Sequence, residues 1–132
     1  YYKNCARLRG KIDLNTTHKQ SLVNHTTEWA YCHERVGDTY RYLDNRSESL
    51  TAFQEAYRLR DAVLELEPES VSAQRGLAVA IYYLAITDED VDLALLKEGL
   101  EILETLQAKK ALQKGDEAMF DVIRDAMDAP AE

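Results

Sequence analysis

Residues 36–63 read VGDTYRYLDNRSESLTAFQEAYRLRDAV, residues 79–106 read VAIYYLAITDEDVDLALLKEGLEILETL, and a shift of 43 positions lays one on the other without a gap. Val36 meets Val79, Gly37 meets Ala80, Tyr40 meets Tyr83, Phe53 meets Leu96, Ala56 meets Gly99, Leu59 meets Ile102 and Val63 meets Leu106. Small side chains fall on small ones and large apolar ones on large ones. A fixed period of this length marks units that cannot bury their apolar faces alone and must stack on neighbours. The expected fold is all-α, a right-handed α-solenoid of antiparallel helix-turn-helix repeats with about six helices.

Start and stop signals divide the period into helices. Residues 1–14 read as the end of a preceding helix, with Tyr2, Cys5, Ala6 and Arg9 on one stripe. A long helix is predicted from Thr17 to Leu43, its stripe formed by Leu22, Trp29, Val36 and Tyr40, with a kink at the poor helix formers Asn24-His25-Thr26-Thr27. Asn45 is the predicted N-cap of the next helix, with Glu48 three residues on. That helix runs to about Leu66, burying Leu50, Phe53, Ala56, Tyr57, Leu59 and Val63, and Pro68 ends it and opens the next. The fourth, Glu69 to Ile86, is apolar nearly all round, as enclosed helices are. Thr87 with Asp90 suggests a capping box for a fifth, Asp88 to Lys114, stopped by Gly115. The last helix, Asp116 to Met127, points Met119, Val122, Ile123 and Ala126 inward. The units are thus about 26–68, 69–114 and a partial 115–128, all in one domain covering 1–132. Because the chain starts at Tyr1 and its third unit is partial, a segment of a longer protein is expected.

Composition narrows the class. Two prolines and five glycines among 132 residues, with 45% hydrophobic residues, argue against disorder or a β fold. Residues 1–66 carry ten Lys/Arg against nine Asp/Glu, whereas residues 67–132 carry six against fifteen, within a formal charge of −8. The acidic half repels nucleic acid and anionic membrane, and the basic cluster Lys3, Arg7, Arg9 and Lys11 reads as a solvated chain end. The longest uncharged stretch, Gly76–Thr87, has twelve residues, against the roughly 20 that cross a bilayer. Cys5 and Cys32 form no disulfide framework, so reduced thiols and a cytoplasmic location are expected. The three glycosylation acceptors at Asn15, Asn24 and Asn45 would favour secretion, but such tripeptides are common by chance.

Val36-Gly37, Tyr40, Ser49, Phe53 and Ala56 stand in the register of a tetratricopeptide repeat, which the chain resembles over about residues 26–127. The second unit, Val79-Ala80, Tyr83, Asp92, Leu96 and Gly99, follows the pattern less closely because Asp92 is not small and apolar. The proline that closes a 34-residue repeat would fall at Asp61, and helix instead continues to Pro68, similar to the extended repeats of many bacterial signalling proteins. The resemblance implies a concave groove lined by Tyr31, Glu34, Asp38, Arg41 and Tyr42 in unit one, and by Gln74, Leu77, Ile81, Leu84 and Ala85 in unit two. A clamp for chaperone carboxylates is disfavoured, because Glu34 and Asp38 occupy its basic and amide positions.

Chemistry finds little support. His18, His25 and His33 are spaced by seven and eight residues, and side chains seven apart on a helix are about 10 Å apart, too far to share an ion. His33-Glu34 begins like a zinc-protease helix, but Gly37 stands where the second histidine belongs. Cys32 and His33 are adjacent and point apart on a helix, and no phosphate loop, Cys-x-x-Cys or Gly-x-Ser-x-Gly occurs. No catalytic residue, metal site or cofactor is assigned. The expected function is a protein–protein interaction scaffold that binds a peptide or partner subunit, its segment basic or neutral, in the groove. Two alternatives are a regulatory segment that packs on other domains of a larger signalling enzyme, and a structural subunit of a large assembly.

Overall fold

The computed structural model describes residues 19–88 and 90–128, which form five helices and no strand. They are α1 (Lys19–Tyr42), α2 (Arg46–Leu66), α3 (Val71–Thr87), α4 (Leu93–Ala108) and α5 (Asp116–Asp128). The predicted helix over residues 1–14 and its stripe, together with the basic cluster, Cys5, Asn15 and His18, lie outside the described residues.

α1 runs unbroken through Asn24–Thr27, where a kink was expected. Thr26 is buried rather than facing water, and the Gln20 amide donates to Asn24 Oδ1 one turn on at 2.9 Å. The inner line of α1 is Val23, Thr26, Ala30 and Gly37, while the predicted Leu22, Trp29 and Tyr40 are half-buried at its sides. α1 closes on Asp44 in the left-handed conformation (φ 57°), which lets Asn45 N–H donate back to Tyr40 O at 2.8 Å. Asn45 then caps α2, its side-chain oxygen accepting from Glu48 N–H as its position three residues before Glu48 predicts.

The later boundaries differ from expectation. α2 stops at Leu66 and Ser70 caps α3, its Oγ accepting from Ala73 N–H at 3.1 Å, so Pro68 sits in the turn. Thr87 belongs to α3 and donates to Tyr83 O, so it opens no capping box; Asp92 caps α4 instead, accepting from Ala94 N–H at 3.0 Å. α4 ends at Ala108 because Lys110 turns left-handed (φ 57°) and Ala111 N–H reaches Leu106 O, well before Gly115. Gly115 (φ +95°) enters α5 rather than ending α4.

Cross-helix contacts fix the packing. Gly37 meets Phe53, Glu34 meets Arg60 and Val23 clusters with Val63, so α1 and α2 run antiparallel. Phe53 stacks on Tyr83 with centroids 4.8 Å apart, Arg60 crosses Gly76 and Val63 clusters with Ala73, which makes α2 antiparallel to α3. Each helix packs on the next, and α3 also meets α1 and α5. The deepest cluster, Leu77, Ala78, Ile81, Leu96, Leu103, Met119, Phe120 and Ile123, joins α3, α4 and α5.

Glycine sets the closest approaches. A Cβ on Gly37 would stand 2.6 Å from the Phe53 ring, and one on Gly99 would stand 2.9 Å from Ile81 Cγ2 and 3.2 Å from Ile123 Cδ1. At the position equivalent to Gly37, the chain carries Ala80, and the equivalent of Phe53 is Leu96. The small residue gains a methyl where its partner loses a ring, the volume exchange that close packing requires.

Candidate functional site: the outer stripe of α1

Tyr31 and Tyr42 are 52% and 89% exposed. Eleven residues separate them, three turns of helix to within about 20°, so they project from one face about 16 Å apart. Asp38 lies on the same face between Arg35 at 3.9 Å and Arg41 at 3.4 Å, its charge shared by two flanking guanidiniums. These are exposed pairs, worth at most about 1 kcal/mol to folding. They keep the stripe polar between the tyrosines, with one positive charge in excess among these three residues.

The same face continues toward the start of α1 through Gln20, Asn24, Thr27 and Glu28, and there it borders a cleft of about 480 Å³. Glu67, Ser70 and Ser72 form the opposing wall, from the α2–α3 turn and the first turn of α3. Amides, hydroxyls, two carboxylates and the Arg60 guanidinium, which is paired with Glu34, line the cleft together with the apolar Val23, Val63 and Ala73. Such a lining suits the polar main chain of an extended segment and a cationic side chain. The sequence assigns none of these residues to a groove, although the spacing of three and four places Gln20, Asn24, Thr27 and Glu28 on the Tyr31 face.

Of the groove residues that the resemblance implies, Tyr31, Asp38, Arg41 and Tyr42 share this surface. Glu34 does not. It is 4% exposed and accepts both nitrogens of Arg60, at 3.1 and 2.8 Å, so its charge is consumed by the joint between α1 and α2. Leu77 and Ile81, 1% and 0% exposed, are core residues beneath α4 and α5, and Leu84 is buried as well. The α3–α4 pair therefore offers no apolar groove at these positions, because side chains of α4 and α5 pack over them. Gln74 is half-buried at the α2–α3 turn, donating to Pro68 O at 2.9 Å, and Ala85 is half-buried in the core margin.

Two further polar joints hold the scaffold around the stripe. Tyr57 donates to Glu98 at 2.9 Å, and burial together with that carboxylate pushes its phenol far above the ordinary range. Arg75 grips Asp116 with two bonds of 3.1 and 2.8 Å. Burial alone would raise the Asp116 carboxyl, but the Arg75 hydrogen bonds and the Gln113 N–H outweigh it and hold the group below the usual carboxylate range. Among the described residues no three His, Cys, Asp or Glu side chains gather closely enough to hold a metal ion, and Cys32 is a buried free thiol. No described helix is long and apolar enough to cross a membrane.

No protein-family model, no curated protein and no solved structure matches this chain.

Proposed function

We propose that the chain is a tetratricopeptide-like scaffold, a right-handed α-solenoid that holds a peptide or partner subunit along the outer stripe of α1. The observation that carries this reading is the pair of exposed tyrosines on one helix face, 52% and 89% accessible, flanking Asp38 and Arg41. Tyrosine and arginine dominate protein interfaces because they present large, rigid contact area with a polar tip. Sequential packing of antiparallel helices at a 43-residue period supports the repeat architecture.

The preferred ligand is a basic or neutral segment. Its apolar or aromatic anchors lie against Tyr31 and Tyr42, and a Lys or Arg reaches the carboxylates of Glu28 and Glu67 in the cleft. The role is one of binding in the cytoplasm, without chemistry of its own. The test is affinity capture from a native lysate with wild-type bait and an Arg41→Glu, Tyr42→Ala bait of equal helicity. Both side chains are exposed, so the variant leaves the core intact. A partner kept by the first and lost by the second supports the stripe; equal recovery on both baits rules it out.

A further inference from the structure

We propose that the cleft between α3 and the start of α5 is a second binding site, which takes a small aromatic monocarboxylate. The site shares no residue with the α1 stripe and does not depend on what that stripe holds.

The shape comes first. At about 280 Å³ the cleft is slightly smaller than the roughly 300 Å³ at which pockets for drug-sized ligands begin, which limits its occupant to about the bulk of one aromatic side chain. Val79, Tyr82 and Tyr83 of α3 line it together with Ala118 and Met119 of α5. Phe53 covers one face of Tyr83 and takes no part in the lining, while Tyr82 is tilted 56° to Tyr83 with centroids 5.7 Å apart. Two rings at different angles favour a third one packed edge-on or offset, and the Met119 thioether adds a polarizable contact.

The charge is the second observation. Arg75 uses Nε and Nη2 to hold Asp116, at 3.1 and 2.8 Å, whereas its Nη1 has no partner among the described residues and the side chain is 31% exposed. Lys114 lines the same cleft, is exposed and makes no ion pair among the described residues. It stands two residues before the carboxylate that Arg75 grips, which keeps both cations on one side of the cleft. Two cations against the Asp116 carboxylate leave one positive charge in excess, a match for a monoanion and a poor one for a dianion. Burial, with Asp38 next in weight, raises the Tyr83 phenol above its ordinary value, so it adds no negative charge. A ligand that carries one carboxylate on a flat apolar body engages the rings and the open donors together.

The repeat supplies an internal comparison. Val122 stands 43 residues after Val79, so the register of the first two pairs extends into α5. Forty-three residues before Val79 and Tyr83 the chain has Val36 and Tyr40, the same residue types. The counterparts of Arg75, Tyr82 and Lys114 are Cys32, Thr39 and Val71, which bring neither charge nor a second ring. Positions that serve the stacking of units recur, and positions that serve a ligand do not. Arg75 also holds the joint with α5, but Lys114 enters no joint among the described residues.

The test is titration of the full, isotope-labelled chain with sodium phenylacetate, read by amide chemical shifts in two-dimensional NMR. Shifts are expected at residues 75–83 and 114–119 with a Kd of about 1 mM or tighter, within reach of a ligand of about ten non-hydrogen atoms. Phenylacetamide, which keeps the ring without the charge, and acetate, which keeps the charge without the ring, should each bind at least about tenfold more weakly. Phenyl phosphate, close to a dianion at pH 7, should bind no more tightly than phenylacetate. Lys114→Glu should weaken phenylacetate at least about tenfold with unchanged circular dichroism, the loss of one hydrogen bond to a charged group, and Lys114→Arg should keep binding within about threefold. Should Lys114→Glu lose helicity, Lys114→Gln decides in its place. Absence of shifts at these residues up to about 20 mM phenylacetate would overturn the proposal. So would phenylacetamide or acetate binding as well as phenylacetate, tighter binding of phenyl phosphate, or wild-type affinity in the Lys114→Glu chain.

Discussion

The two helix pairs solve the same packing problem with opposite chemistry. Where the α1–α2 pair buries Glu34 against Arg60, the equivalent positions of the α3–α4 pair are Leu77 and Leu103, both in the deepest apolar cluster. Where the first pair sets Gly37 beneath Phe53, the equivalent positions of the second are Ala80 and Leu96, both buried. The second pair, with α5 packed on it, is apolar at these positions. The first pair keeps a polar joint and a polar outer stripe. A buried ion pair is seldom more stable than a well-packed apolar pair, but it tolerates only one register. The difference indicates that the first pair is built for specificity and the second for burial.

That contrast can be broken first at the ion pair. Arg60→Leu alone leaves the Glu34 carboxylate buried without its partner and should cost about 3–5 kcal/mol. Adding Glu34→Leu should return the urea midpoint to the wild-type value or above it, because the pair then matches Leu77 and Leu103. A double variant as unstable as the single one would mean that the two positions are not equivalent.

Gly37→Ala tests the second substitution pair. Its new methyl meets the Phe53 ring and should cost roughly 1–3 kcal/mol, as overpacking does. Phe53→Leu should relieve part of that cost, giving a coupling of at least about 0.5 kcal/mol in a double-mutant cycle. Additive losses would show that the ring and the glycine are not in contact.

The joint between α3 and α5 depends on pH. Since the folded-state Asp116 carboxyl lies below its ordinary range, its contribution is present above the unfolded value and lost as pH falls through the folded one. Asp116→Asn should therefore cost on the order of 1.5 kcal/mol at pH 7, the worth of a hydrogen bond to a charged group. The gap from wild type should close in acid below the normal carboxylate range. A gap that stays constant across the titration would remove the charge from the explanation. The smallest effect belongs to the stripe: Tyr42→Ala should move stability by less than about 0.5 kcal/mol, since an exposed side chain loses little packing.

Much of this was legible in the sequence, and the failures have physical causes. Periodicity located every described helix, and Asn45 with Glu48 marked the α2 start because an N-cap bond is local. The limits of α4 were misread because Asp92 outcompetes Thr87 as cap and because Lys110, not a glycine, adopts the left-handed turn. Glu34, Leu77 and Ile81 were placed in a groove because a period fixes which way a residue faces but not what lies over it. The polar cleft from Gln20 to Glu28 was missed because the repeat alignment begins near residue 26, and α1 extends beyond it.

The most direct measurement converts the first pair toward the second at four of the core positions where they differ, Glu34→Leu, Gly37→Ala, Phe53→Leu and Arg60→Leu together, followed by urea unfolding. If the pairs are copies of one unit, the variant unfolds in one cooperative step at or above the wild-type midpoint with undiminished helicity. A midpoint below that of Gly37→Ala alone, or a loss of cooperativity, would contradict the equivalence on which the repeat reading stands.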